Sequence, residues 1–289
     1  MYEQSKGGIG AEMSEFDRKQ HVSALQLARV EKLLNDFENR LAAEVDHKYK
    51  EEHNFNNILI YISGKSIITY REILCLSSRG FPDGALSLSR NLYEQNIIVA
   101  FLYSKRKSSD FEEYIEDYYL AGEIQRLKAL KWEADYLRDS LSDSAKYNNQ
   151  IEALKLKSHQ KVTGNDYWWT GFNSFARLAD YCSVSENDKQ YEIMMKRLRL
   201  MYKLACISLH AGSLGNTIRL GVENGFSGID NRAKTNGHEL PLCFASHSMI
   251  PIIGVTSTEL NIDGSDLIQE SNDLSIFYYD RLLKEGIRV

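Results

Sequence analysis

Residues 79–103, RGFPDGALSLSRNLYEQNIIVAFLY, constrain the chain more than any other stretch. Gly80, Pro82, Asp83 and Gly84 signal a turn, and a strongly apolar run at helical spacing follows it. A helix apolar on most sides has to be buried in a bundle. Yet this one carries an opposite-charge pair, Arg90 and Glu94, four residues apart and therefore on one face. A charge in that setting has to be paired or solvated. The pair is then either a device that fixes packing, as buried ion pairs often are, or the wall of a polar cleft.

The flanking sequence repeats the helical period. Within 15–50, Leu25, Val30, Leu33, Leu34, Phe37 and Leu41 recur at three- and four-residue steps, with Ser14 as N-cap. Residues 54–78 are apolar nearly all round and are stopped by Gly80, so they form an antiparallel hairpin with the helix at 84–104. Residues 110–159 are polar, with helical period but sparse core positions, and read as two helices broken near 140–144. An aromatic- and Gly-rich loop at 160–173 precedes a short helix at 174–182. Ser185-Glu186-Asn187-Asp188 reads as a capping box that starts a long helix reaching 212. Residues 223–240 form a Gly- and Asn-rich loop too long for a simple connector. Two further helices occupy 241–260 and 265–284.

With only three prolines in 289 residues, little interrupts these helices. No alternating strand pattern of useful length and no fixed-period repeat is visible. The expected fold class is all-α, a multi-helix bundle with a projecting helical pair. Residues 1–13 are expected as a flexible N-terminal arm and 14–289 as a single all-α domain, with 110–159 as the projecting or inserted pair.

A net charge of −5 disfavours a globally basic nucleic-acid binder but leaves room for a local basic patch. The four cysteines, Cys75, Cys182, Cys206 and Cys243, form no CxxC pair and read as small buried hydrophobes. No secretory signal and no apolar stretch long enough to span a bilayer is read in the sequence, so the expectation is a cytoplasmic protein without a membrane partner. Neither a P-loop, an HExxH motif nor paired ExxH ligands are present, and neither a metal nor a cofactor is expected. Tyr118-Tyr119 and Trp168-Trp169 can stack bases, although aromatics of this kind are more often core.

His210 lies late in the apolar segment KLACISLHAGS, where lone histidines are more often core residues than catalysts. Tyr202, eight residues earlier, shares its face approximately, whereas Ser208 does not. If this helix packs on the one bearing Arg90 and Glu94, then Arg90, Glu94, Tyr202 and His210 converge.

GFPDGALSLSRNLYEQNIIVAFLY, followed downstream by WWTGFNSFARLADY and MYKLACISLHAG, resembles the domain-of-unknown-function 5677 family over roughly 55–220. Members carry an Arg-x-x-x-Glu helix after a turn and later a Tyr, Ser, His helix. The matching positions are Arg90, Glu94, Tyr202, Ser208 and His210. More distantly, the arrangement is similar to HEPN-type helical bundles, often metal-independent ribonucleases of antiviral or toxin systems. Those place an arginine ahead of a histidine on one helix with four to six residues between them, and join the pair from two protomers. In such chemistry an arginine stabilises the phosphorane charge while a histidine moves the ribose 2′-hydroxyl proton. This chain departs from the pattern, since no arginine precedes His210 at that distance. Arg40 with His47, and Arg232 with His238, match the spacing, about as often as chance allows.

Three functions are therefore expected in competition. One is a HEPN-like effector of a bacterial toxin or phage-defence system acting on RNA or nucleotides, with Arg90, Glu94, Tyr202 and His210 as its site. Another is a non-catalytic binding or regulatory module that meets a partner protein through loop 223–240 or helices 110–159. The third is a small-ligand sensor whose cleft is the same polar centre. The apolar faces of the bundle also lead to the expectation of a homodimer.

Overall fold

The computed structural model describes residues 15–48, 54–137, 141–184, 188–209, 220–223, 226–229 and 238–284. The expected arm at 1–13 and the Ser14 cap lie outside them. The fold is an all-α multi-helix bundle. Among the described residues its α-helices are α1 (Glu15–Lys48), α2 (Phe55–Ser78), α3 (Pro82–Lys105), α4 (Phe111–Leu137), α5 (Leu141–Lys155), α6 (Phe175–Cys182), α7 (Lys189–Leu209), α8 (Glu239–Leu260) and α9 (Ser265–Lys284). Helix α3 is the hub, with α2, α4, α6, α7 and α8 all packed on it.

The α2–α3 hairpin forms as the sequence predicts, with one difference. Asn54 caps α2 by accepting from the Asn57 amide at 2.9 Å. Gly80 at φ 79° ends it, as Phe81 N–H reaches the Leu76 carbonyl at 2.9 Å and Gly80 N–H reaches Ser77 at 3.1 Å. Pro82 belongs to the next helix and not to the turn. It opens α3 because the first helical turn has no use for the amide hydrogen that proline lacks.

Helix α8 is the second buried element, contacting α1, α2, α3, α7 and α9. Ser89 donates to the Pro241 carbonyl at 3.0 Å, and the Tyr93 ring lies tilted against Phe244 at 5.6 Å, so α3 and α8 run side by side in the same direction. Small polar side chains tie the helices where they approach closely: Ser63 with Thr256 at 2.8 Å, Tyr70 with Ser246 at 2.5 Å, and Ser271 with the Ser246 carbonyl at 2.8 Å. Contrary to the sequence expectation, α8 is long and apolar enough to cross a membrane. However, 78% of its apolar window is buried inside the bundle. Helix α1 is clamped onto α9 by two forked ion pairs. Arg29 holds Glu270 at 2.8 and 2.9 Å, and Arg40 holds Asp266 at 2.6 and 2.7 Å.

The pair α4–α5 projects as expected. Its base is anchored by the core residues Phe111, Ile115, Ile124 and Leu127. Buried Asp117 closes that base, accepting from the His159 amide at 3.0 Å and the Gln160 amide at 2.7 Å. Phe101 on α3 meets Trp169 at 5.6 Å, and Trp169 meets Tyr118 at 5.1 Å. Trp168 and Trp169 are each 3% exposed, so they are core and present no stacking surface.

Three expectations fail locally. Helix α7 starts at Lys189, with Asp188 as its cap, accepting from the Tyr191 amide at 2.9 Å; Ser185 lies outside the described residues. Within the expected loop 223–240 and its approach, Leu220–Glu223 and Phe226–Ile229 pair as two short antiparallel strands, β1 and β2. Cys75, expected to be buried, is exposed, whereas Cys182 and Cys243 are buried.

His247 on α8 makes stability depend on pH. Burial drives its pKa down; the bond of Nδ1 to the Cys243 carbonyl at 3.1 Å opposes this, and Arg197 adds to it, leaving a value of about 4 against 6.5. The unfolded chain therefore takes up a proton that the folded chain refuses. This contribution is complete above pH 6.5 and is lost as pH falls toward 4. Denaturant titrations across that window are expected to show wild type losing about 3 kcal/mol more than His247→Gln. Equal losses in the two proteins would contradict the assignment.

Candidate functional site

On α3 the ion pair read from the sequence is present. Arg90 Nε donates to Glu94 Oε1 at 3.0 Å, with the two side chains 32% and 22% exposed. It does not stand alone. The Tyr202 hydroxyl, from α7, donates to the same oxygen at 3.1 Å. The Tyr167 hydroxyl, from the aromatic loop, donates to Glu94 Oε2 at 3.2 Å. One carboxylate thus collects three donors from three separated parts of the chain. Cys206, one turn past Tyr202, lies close enough to act electrostatically on Arg90, one turn before Glu94. Helix α7 therefore runs antiparallel to α3.

Aromatic rings form the floor of this cluster. Phe175 at the start of α6 lies 4.9 Å from Tyr202, 5.1 Å from Tyr167 and 5.9 Å from Tyr93. The Arg90 and Arg199 guanidinium groups lie 5.4 and 5.6 Å from the centre of the Tyr202 ring, a placement that the ring's negative face favours. Arg199 is itself held by Asp180 at 3.1 Å. The short helix α6 is set by Ser174, which caps it by accepting from the Arg177 amide.

Burial, and then the charge of Glu94, push both Tyr202 and Tyr167 well above the usual tyrosine range. Both phenols therefore remain protonated donors at neutral pH. Burial works against the Arg90 cation, but Tyr202 and Glu94 beside it raise its pKa on balance. The cluster offers a permanent cation and two neutral hydroxyl donors converging on one point. An anion that displaced Glu94 would inherit all three.

The structure thus brings together Arg90, Glu94 and Tyr202. His210 lies outside the described residues, as does the side chain of Ser208. Arg40, matched in spacing to His47, is occupied by Asp266, and Arg232 lies outside the described residues. Tyr167 was missed in the sequence; its only signal was a place in an aromatic-rich loop. Among the described residues, no group of three or more His, Cys, Asp and Glu is placed to hold a metal ion.

A second feature was also missed. An open groove of about 880 Å³ lies between the C-terminal end of α3 and helices α6 to α9. Tyr103, Tyr181, Tyr191, Met194, Pro251 and Val255 are among its lining residues. Cys182 also lines it, but burial pushes its thiol up to about 12, so it is no nucleophile.

Because Glu94 is the acceptor for three donors, its loss is expected to cost more than the loss of any one of them. In chemical denaturation, Glu94→Ala should destabilise by about 2 kcal/mol, and Tyr202→Phe and Tyr167→Phe by about 1 kcal/mol each. A Glu94→Ala cost no larger than that of Tyr202→Phe would contradict the shared-acceptor arrangement.

A family of unknown function, DUF5677, matches residues 55–227. The match covers α2 through α7 and the whole cluster, and the chain belongs to this family. No curated protein and no solved structure matches the chain.

Proposed function

We propose that this member of the DUF5677 family is a HEPN-like effector of a bacterial toxin or phage-defence system, acting on RNA or nucleotides in the cytoplasm. The observation that supports the reading is the convergence of Arg90, Tyr167 and Tyr202 on Glu94 at a partly open point of a helix packed by five others. In this reading a phosphodiester displaces Glu94 from Arg90. His210, which follows Leu209 directly in sequence, takes the proton of the ribose 2′-hydroxyl. The 2′-oxygen attacks the adjacent phosphorus, the bond to the 5′-oxygen breaks, and that oxygen is reprotonated. The products are a 2′,3′-cyclic phosphate and a 5′-hydroxyl end. Arg90 stabilises the negative charge on the phosphoryl oxygens, supported by the hydroxyls of Tyr202 and Tyr167.

The test is RNA cleavage in vitro, together with growth arrest on expression, for wild type, Arg90→Ala, Arg90→Lys and His210→Ala. Each variant is checked for native circular dichroism. The expected result is a loss of about 100-fold or more for His210→Ala and Arg90→Ala. Folded variants that cleave as wild type does, or a wild type that cleaves no RNA, would overturn it.

The groove favours a second reading, a ligand-sensing module without catalysis. Its size and its apolar, tyrosine-rich lining are those of pockets for drug-sized molecules. Thermal-shift screening with apolar aromatic compounds should then find ligands that raise Tm for wild type. Gly254→Phe, which narrows the groove, should not respond. Equal shifts in the two proteins would count against the groove as the sensor.

A further inference from the structure

We infer that the outer face of α4 is a two-fold interface, occupied by α4 of a second copy of this chain packed antiparallel across Trp132. Up to Leu127, α4 is anchored in the core. Beyond it, Trp132 is 67% exposed and Tyr136 is 72% exposed. Their rings are stacked 5.3 Å apart at 15°. Tryptophan and tyrosine set together on an otherwise polar projecting helix match the residue types that dominate interface energetics.

The charges around this pair identify the occupant. With about 100° of turn per residue, Lys128, Ala129, Asp135 and Tyr136 all lie within about 60° of the Trp132 direction. Lys128 and Asp135 fall on one flank, Ala129 and Tyr136 on the other. A two-fold axis at Trp132, lying in the interface and across the helix, reverses the direction of the chain but keeps each flank on its own side. Lys128, about 6 Å before Trp132 along the axis, then faces Asp135 of the second copy, about 4.5 Å beyond its own Trp132. On the opposite flank, Tyr136 of each copy lies over the small Ala129 of the other. The face is therefore complementary to itself in both charge and volume. Asp135 is already steadied by Lys131 at 2.8 Å, whereas Lys128 makes no ion pair with any described residue. Helix α5 packs elsewhere on α4 and leaves this face open.

Sedimentation velocity of the full chain over the micromolar range tests the inference. Wild type is expected to be a dimer and Trp132→Ala a monomer. Lys128→Asp and Asp135→Lys each place like charges together twice in the homodimer, and each should weaken self-association at least about tenfold. Mixing these two variants in equal amounts restores both opposite-charge pairs and should restore the dimer. All variants should keep the wild-type circular dichroism, since every changed side chain is on the surface. The inference fails if wild type stays monomeric, which would leave the face to a base-stacking or unrelated protein partner. It fails equally if Trp132→Ala still dimerises, or if the mixture associates no better than either variant alone.

Discussion

A carboxylate on a helix packed by five others has to have its oxygens filled, and the chain around α3 is arranged to fill those of Glu94. Arg90 comes from the same helix one turn earlier, Tyr202 from antiparallel α7 and Tyr167 from a loop. The requirement reaches further than these four residues. For Tyr167 to arrive, Trp168 and Trp169 have to be sunk into the core, which in turn fixes the base of α4 through Tyr118. For Tyr202 to arrive, α7 has to lie against α3, with Phe175 of α6 wedged beneath the phenol rings. The polar cluster and the aromatic core are one construction seen from two sides.

Much of this was legible in the sequence because it is local. The apolar period of α2, the left-handed Gly80 and the Arg90–Glu94 spacing are all decided within a few residues, as are the Asn54 and Ser174 caps that the sequence reading did not single out. The nearness of Tyr202 to Glu94 was legible only as a conditional statement, since it depends on which two helices pack together. Competition between nearby signals hid other features. Pro82 serves a turn or a first helical turn equally well, and Asp188, read as the far end of a capping box, itself caps α7. Strands β1 and β2 are four residues each and are held by pairing with one another, which leaves no periodic trace. The groove has no sequence signature, because it arises from how α3, α7 and α8 diverge.

The two ends of the molecule make different use of aromatic residues. Around α3 the rings are buried, and edge-on contacts lock the helices together. At the far end of α4 the rings of Trp132 and Tyr136 lie stacked in solvent. That exposed pair lies beyond Leu127, the last core residue of α4 among the described residues.

The central claim is that Arg90 serves as an anion receptor as well as a packing partner for Glu94. The most direct measurement follows the Arg90 side-chain Nε–H resonance by NMR, assigned with Arg90→Lys, during titration with a 2′-O-methyl oligoribonucleotide that cannot undergo cleavage. The account predicts a saturable shift of that resonance. A resonance that stays at its starting position while RNA is added to excess would mean that the Arg90–Glu94 pair is structural alone.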